Sequence, residues 1–314
     1  MVMALGLVPD ARAQVSPFAG SWNLTGTGPD AAFVYWLEVK EENGQLSGRF
    51  LNRVGSPVTL GLVKVDNGEL VFQGGRPEQL TGPEYRARRE GETLVGRHTL
   101  RTGGRGGAAA TERVVNWIGT RRPVFRASDA NAEHTYGAPV ALFDGTTMDA
   151  FRAQHDRPLF WGVIDGLLAN VPPANNLVSK ETFGDFKIEM EYRLGTASNS
   201  GVYLRGRYEL QLFDDRGQPP AITGHMSIYG RTPASVNASG APYQWQQMTA
   251  VIVGNRVTVT LNGQRVHDNA IIEGITGGAL DNNELAPGPI MIQGDHSQVA
   301  IRKIVVTPIA SLKK

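Results

Sequence analysis

The sequence predicts an all-β protein: a small antiparallel β-barrel or meander followed by a β-sandwich. Of 314 residues, 38 are Gly and 18 are Pro, and they separate many short runs in which Val, Ile, Thr and aromatic residues alternate with polar ones. Asn-Gly and similar pairs stand between such runs, which is a strong local signal for hairpins. Long helical periodicity is scarce, so we expect few and short helices.

Composition and charge limit the classes of partner. The 31 Lys and Arg residues nearly balance 30 Asp and Glu, a net charge of +1, so electrostatics do not favour nucleic acid or a membrane surface. The chain has no Cys, which excludes disulfides, thiolate metal sites and a cysteine nucleophile. No run of 18 apolar residues occurs, so no transmembrane span is expected.

The first residues indicate export. "MVMALGLVPDARAQ" has an apolar run and then a small-x-small pattern ending at Ala13, which is typical of the end of a secretory signal peptide. We therefore interpret residues 1–16 as a signal-peptide remnant and expect a periplasmic or secreted protein.

Residues 17–122 predict the barrel-like domain. Turn pairs such as Asn43-Gly44 and Asn67-Gly68 stand between alternating runs and indicate a meander. An early Gly-x-Trp (Gly20, Trp22) and a late Trp117 with Arg121 and Arg122 resemble the lipocalin-like small barrels. The composition of "TGGRGGAAA" predicts a flexible loop. The stretch is not interpreted as a phosphate-binding loop, because no helix follows it. Residues 123–138 lack periodicity and predict a linker.

Residues 139–309 predict the sandwich, and residues 310–314 a tail. "FGDFKIEMEYRL" alternates cleanly, and "QMTAVIVGNRVTVTLNGQRVHD" contains three strands joined at Gly254-Asn255 and Asn262-Gly263. Strands of this number and spacing favour two packed antiparallel sheets.

One stretch, "YLRGRYELQLF", predicts a single strand with an unusual polar face. Period-2 alternation places Val202, Leu204, Tyr208, Leu210 and Leu212 on the core side and Tyr203, Arg205, Arg207, Glu209, Gln211 and Phe213 on the other. Donors, acceptors and flat rings together suit a hydroxyl-rich ligand. The alternative is a solvated face with an Arg–Glu pair.

An ordered series of stretches resembles the 3-keto-disaccharide hydrolase domain family. The stretches lie between about residues 139 and 309 and are "LFDGTTMDAF", "WGVIDGLL", "ETFGDFKIEMEYRL", "NSGVYLRGRYELQLFDD", "SIYGRTPASVNASG", "WQQMTAVIVGNRVTVTLNGQRVHD" and "GPIMIQGDHSQVAIRKIVV". The resemblance implies a concanavalin-like jelly-roll sandwich whose concave face binds sugar. It also implies cleavage of glycosides that a separate oxidoreductase has already oxidised to a ketone at C3.

Such a reaction needs a base that removes the C2 proton. It also needs hydrogen-bond donors, or a divalent metal ion, to stabilise the oxyanion. The resemblance makes Glu209 and His296 the catalytic candidates. Glu209 could instead pair with a neighbouring Arg, and His296 could be an ordinary surface histidine. The candidates for substrate binding are Tyr203, Arg205, Gln211, His225, Tyr229, Asn237 and Gln293.

Two other functions remain open at this point. A non-catalytic carbohydrate-binding module would use the aromatic and amide residues but not Glu209 or His296. A conventional glycoside hydrolase would need two carboxylates facing each other across the groove. None of these functions implies a nucleotide or organic cofactor.

Overall fold

A computed structural model of the chain describes residues 16–102 and 111–310. The predictions for residues 1–15, most of the glycine-rich loop and residues 311–314 lie outside these ranges. The chain forms two compact units, and the C-terminal one also includes two early segments, Ala31–Trp36 and Leu51–Pro57. Among the described residues, no helix is long and apolar enough to cross a bilayer.

The N-terminal sheet is antiparallel and has nine strands in the order β4-β3-β2-β1-β9-β8-β7-β6-β5. The edge strands β4 and β5 are separated by only two residues in the chain, so the sheet must curl until its edges approach. The Gly61 N–H donates to the carbonyl of Gln73 on β6 at 3.1 Å. The strands are β1 (Gly20–Gly26), β2 (Val34–Glu42), β3 (Gln45–Leu51), β4 (Val58–Thr59), β5 (Leu62–Asp66), β6 (Glu69–Arg76), β7 (Gln79–Glu90), β8 (Thr93–Thr102) and β9 (Thr111–Arg121), with a short 3₁₀ turn at Gly28–Asp30.

Aromatic side chains fill the interior of this curled sheet. Phe72 stacks on Tyr85 with ring centroids 4.9 Å apart, and Phe50 meets both rings. The Arg121 guanidinium lies 3.8 Å from the ring centre of Trp22, which joins the two ends of the lipocalin-like pattern. The predicted barrel-like meander is confirmed.

The C-terminal unit contains two antiparallel sheets. The larger has the order β12-β13-β22-β15-β18-β19-β20, with β10 also paired to β22, and the smaller has the order β11-β14-β21-β16-β17. The strands are β10 (Val140–Phe143), β11 (Phe151–Ala153), β12 (Trp161–Ile164), β13 (Leu167–Asn170), β14 (Leu177–Phe183), β15 (Phe186–Leu194), β16 (Asn199–Leu204), β17 (Tyr208–Phe213), β18 (Gln246–Val253), β19 (Arg256–Leu261), β20 (Gln264–Ile271), β21 (Gly288–Ile292) and β22 (Val299–Pro308).

The two sheets share one hydrophobic core, which makes the unit a sandwich. On β15 every second residue is buried, from Phe186 to Leu194, as the alternation predicts. These residues join Val202 and Leu210 of the smaller sheet in a single apolar cluster. The predicted turns at Gly254 and Asn262 also connect β18, β19 and β20. The all-β, jelly-roll-like fold is therefore confirmed.

The prediction of one continuous strand from Tyr203 to Phe213 is wrong. Arg205 and Gly206 both have positive φ, 54° and 66°, and the chain reverses there, so β16 and β17 form a hairpin with Tyr203 opposite Glu209. The reversal keeps the predicted core side, because Val202 pairs with Leu210 and both are buried. It removes Arg205 and Arg207 from the polar face.

Candidate functional site

A polar pocket of about 370 Å³ lies on the face of the smaller sheet that turns away from the core. Its volume is near the small end of the roughly 300–1,000 Å³ range of ligand pockets, which suits one or two sugar rings. Every lining residue belongs to the C-terminal unit as defined above: Ala32, Phe33, Val34, Arg53, Val54, Gly55, Gln154, His155, Asn176, Asn199, Tyr203, Glu209, Gln211, Tyr229, Gly277, Gly278, Ala279, Gln293, Asp295 and His296.

Glu209 is the buried carboxylate of this pocket. Its side chain projects from β17, and the residue is 3% exposed. Burial, more than any other cause, raises the pKa of Glu209 to about 8, the charge of Asp295 adds to the rise, and a hydrogen bond from Tyr203 opposes it. No Lys, Arg or His within 4 Å pairs with it in the described part of the chain. A carboxyl with a pKa near neutrality can exchange a proton at physiological pH.

Glycine at position 201 makes room for this carboxyl group. Gly201 pairs with Gln211 across the hairpin, and a Cβ at Gly201 would lie 2.2 Å from Oε1 of Glu209. No ordinary contact is that short, so any larger residue would displace the carboxylate. Gly201 therefore positions Glu209.

Tyr203 connects the carboxylate to the opposite wall. Its hydroxyl lies 2.9 Å from Oε2 of Glu209 and 2.9 Å from the carbonyl oxygen of Gly277. Burial and the charge of Glu209 raise the pKa of Tyr203 well above its usual value, so the hydroxyl keeps its proton. A single O–H donates to one acceptor at a time; it can serve the ionised carboxylate and then turn to Gly277 when Glu209 is protonated.

Two amide side chains lie beside this pair. With its amide oriented to satisfy its neighbours, Gln211 donates to Oε1 of Glu209 at 3.2 Å and to the Ser200 carbonyl at 2.9 Å. Oε1 of Gln293 is buried and has no hydrogen-bond partner within the described residues. An acceptor left in that state calls for a donor, and a substrate hydroxyl would supply one.

Tyr229, Asp295 and His296 complete the polar lining. Burial, followed by the charge of Glu209, raises the pKa of Tyr229, while a hydrogen bond with Ser56 opposes the rise. His296 is exposed, and its Nδ1 lies 2.7 Å from Oδ1 of Asp295. His296 therefore sits at the rim of the pocket, whereas Glu209 is at its floor.

The structure brings six of the nine sequence-predicted site residues together around one pocket: Tyr203, Glu209, Gln211, Tyr229, Gln293 and His296. Their roles remain predictions, but their proximity agrees with a shared site. The other three point elsewhere.

Arg205 lies in the hairpin turn rather than on the polar face. Its guanidinium donates to the carbonyls of Gly184 and Gly254 and to Oδ1 of Asp185, each at 2.7 Å. Through these hydrogen bonds, the Arg205 side chain links the hairpin turn to the neighbouring turns. Arg205 therefore does not line the pocket, because the turn that the alternation failed to reveal redirects it.

His225 and Asn237 are also held away from the pocket. Nε2 of His225 lies 2.7 Å from the Tyr192 hydroxyl, and burial lowers the pKa of His225 to about 4, so the ring is neutral. Nδ2 of Asn237 donates to the carbonyl and to Oδ1 of Asp215, at 2.9 and 3.0 Å. Both side chains brace loops.

Sequence reasoning missed 14 of the 20 residues that line the pocket. Asp295 could have been found from the sequence, because it directly precedes His296 in "QGDHS". Gln154, His155 and Asn176 come from loops without periodicity, and the Ala31–Trp36 and Leu51–Pro57 segments lie more than 80 residues from the family stretches. No local pattern could have assigned these to the site.

The sequence leaves a divalent metal ion open as a cofactor. Among the described residues, no group of three or more His, Asp or Glu side chains is placed to hold one. The carboxylates of Glu209 and Asp295 line the pocket, but Asp295 is already paired with His296.

Comparison with known proteins identifies one family and several similar solved structures. The model of the 3-keto-α-glucoside-1,2-lyase-like domain matches residues 138–307, more than half of the 314 residues. No protein of curated function matches.

Three candidate glycosyl hydrolases from Parabacteroides distasonis are among the similar solved structures. The first is 24% identical over 55% of this chain and 84% of its own, with a TM-score of 0.49. The second is 17% identical over 55% and 94%, with a TM-score of 0.45. The third is 21% identical over 55% and 100%, with a TM-score of 0.44.

Proposed function

The chain belongs to the 3-keto-α-glucoside-1,2-lyase-like domain family, a carbohydrate-active group, and on this premise we propose that it cleaves 3-keto-glycosides with Glu209 as the base. The observation that carries the proposal is a carboxyl group at the floor of a polar pocket, without a cation partner and with its pKa raised to about 8.

The reaction follows from the acidity of the substrate. A ketone at C3 makes the C2 proton acidic, and the Glu209 carboxylate takes it, leaving an enediolate. The C1–O bond then breaks, the leaving alcohol takes up a proton, and a 1,2-unsaturated ketone remains. Water adds its oxygen to C1, and C2 regains a proton. The net change is hydrolysis of one glycosidic bond with no oxidant or reductant consumed.

The neighbours of Glu209 fit this sequence of steps. The Tyr203 hydroxyl stabilises the carboxylate before proton transfer and can donate to Gly277 afterwards. The Gln211 amide donates to Oε1 of Glu209 and helps to hold the carboxylate in place, and the Tyr229 hydroxyl offers a donor for an oxygen atom of the sugar. Gln293 offers its unpaired acceptor to a sugar hydroxyl. His296, at the rim, is the proposed group that exchanges a proton with the leaving alcohol or with water.

The experiment compares a 3-keto-glucoside with the same glucoside unoxidised, in D₂O, with products identified by mass spectrometry and NMR. We expect cleavage of the ketone substrate alone, with one solvent deuterium at C2 of the released sugar. Free 3-keto-glucose incubated alone corrects for spontaneous exchange. Cleavage without deuterium at C2 would contradict the elimination step.

Two outcomes would favour the other functions. Cleavage of the unoxidised glucoside would favour Glu209 and Asp295 as the carboxylate pair of a conventional glycoside hydrolase. Sugar binding with no cleavage of either compound would favour a carbohydrate-binding module. A parallel reaction with chelator tests the metal, since activity that survives chelation does not need one.

The proposal also includes a cellular setting. We infer that a separate oxidoreductase makes the C3 ketone, because nothing in the proposed reaction oxidises the sugar. Export to the periplasm or medium is proposed from residues 1–16. Fractionation of cells that express the full chain, with detection of the mature N-terminus, tests this placement.

A further inference from the structure

The rim of the pocket carries an arginine stacked on an aromatic ring. The Arg53 guanidinium lies 3.7 Å from the centre of the Phe33 ring, and both residues line the pocket. No carboxylate lies within 4 Å of this guanidinium in the described part of the chain. Its donors are therefore available to a ligand, while the ring holds the guanidinium plane in one orientation.

The Leu51–Pro57 segment that carries Arg53 is tied to the residues around Glu209. The Gly278 N–H donates to the Arg53 carbonyl at 2.8 Å. A Cβ at Gly277 would lie 2.3 Å from the carbonyl oxygen of Gly55, so the two backbones are in direct contact. Gly277 in turn accepts from Tyr203. Arg53 is thus held at a defined place relative to the base.

Burial orders the pocket from floor to rim. Glu209 is 3% exposed, whereas Val54 beside Arg53 is 70% exposed. The base must reach C2 of the oxidised ring, so that ring lies at the floor. Its C1 substituent then extends toward the rim, where Arg53 and Phe33 are among the lining residues.

We propose that Arg53 and Phe33 form the binding subsite for the leaving group and select 3-keto-glycosides with a large, oxygen-rich leaving group, such as a second sugar. This inference rests on the proposed function. The guanidinium fork donates to hydroxyl or ring oxygens of the leaving group. Both residues lie outside the 138–307 family match, so the selectivity belongs to this chain rather than to the domain family.

The test measures kcat/KM for Arg53→Ala and Phe33→Ala on two substrates, 3-keto-trehalose and methyl 3-keto-α-glucoside. We expect Arg53→Ala to lose roughly 10- to 100-fold on the disaccharide, because hydrogen bonds from a charged group are lost. Phe33→Ala should lose up to a similar factor, because the ring no longer holds the guanidinium in one orientation. Both variants should stay within about threefold on the methyl glycoside. The exposed Arg126, outside the pocket, supplies the control Arg126→Ala. Activity on the methyl glycoside also reports that each variant is folded.

Each result decides the question. An equal loss on both substrates, or no loss on either, overturns the subsite while the proposed function stands. A wild-type protein that cleaves neither substrate overturns the proposed function, and the subsite with it. Arg53→Lys adds a sharper measure, because lysine keeps the charge but lacks the planar fork; we expect it to recover less than half of the lost selectivity.

Discussion

Among the described residues of the C-terminal unit, two carboxylates are almost completely buried, and their surroundings are opposite. Glu284 is 1% exposed; Arg122 donates to it through Nε and Nη2 at 3.0 and 2.9 Å, and the Tyr208 hydroxyl at 3.1 Å. Glu209, 3% exposed, receives hydrogen bonds from neutral groups only. A buried charge without a cation is costly, so Glu209 tends to hold a proton. The difference indicates that Glu284 serves the fold, and it supports Glu209 as the proposed base.

The largest effect expected is on catalysis at Glu209. Glu209→Gln keeps the shape of the side chain but cannot accept the C2 proton, so kcat/KM on a 3-keto-glucoside should fall about 10²- to 10⁴-fold. Steady-state kinetics on the purified variant measure this. A variant within threefold of wild type would assign the base elsewhere.

The free energy of unfolding of Glu209→Gln should exceed that of wild type, and the difference should grow as the pH rises. The folded-state pKa of Glu209 is raised, so its contribution is full below about pH 4.5 and is lost as pH rises to about 8. Glu209→Gln should therefore gain stability over wild type between pH 5 and 9, which urea unfolding at several pH values would show.

Glu284→Gln should show the converse pattern. Removing the carboxylate leaves the Arg122 guanidinium buried without its partner, which costs about 3–5 kcal/mol of unfolding free energy. The folded fraction should keep its kcat/KM within about threefold, because Glu284 does not line the pocket. Urea unfolding and kinetics on the same preparation separate the two effects. A large kinetic loss with unchanged stability would reverse the assigned roles.

Gly201→Ala should reduce activity without changing any chemical group. The new methyl group would meet Oε1 of Glu209, and the displaced carboxylate should lower kcat about 10- to 100-fold, since small misplacements of a catalytic group have effects of this size. Gly162→Ala is a matched control, because a Cβ there would meet nothing within 4 Å. Equal activity of the two variants would show that Glu209 tolerates the shift.

The smallest effect expected is on the pH profile. If Glu209 must be ionised, kcat/KM should rise about tenfold per pH unit below about pH 8 and level off above it. The Tyr203 hydrogen bond lowers the pKa of Glu209, so Tyr203→Phe should move the inflection upward, by about one unit at most. An inflection that stays in place would mean that Tyr203 does not contact the ionised form.

The sequence by itself determined the fold class and most of the floor of the site. The alternation of apolar and polar residues and the turn pairs are local properties of the sequence. Short windows were therefore enough to predict β15, the β18–β20 run and the N-terminal meander. Glu209, Gln211 and Gln293 were found because they lie on or beside strands that carry the family resemblance.

Tertiary structure alone decided the rest. The turn at Arg205 has no Asn-Gly signal, so only the folded chain shows that Tyr203 faces Glu209 and that Arg205 leaves the pocket. A buried carboxylate has a cationic partner only where the fold brings an Arg or Lys beside it from a distant part of the chain, as it brings Arg122 to Glu284. Phe33 and Arg53 enter the pocket through contacts more than a hundred residues away along the chain, and no local sequence pattern encodes contacts of that range.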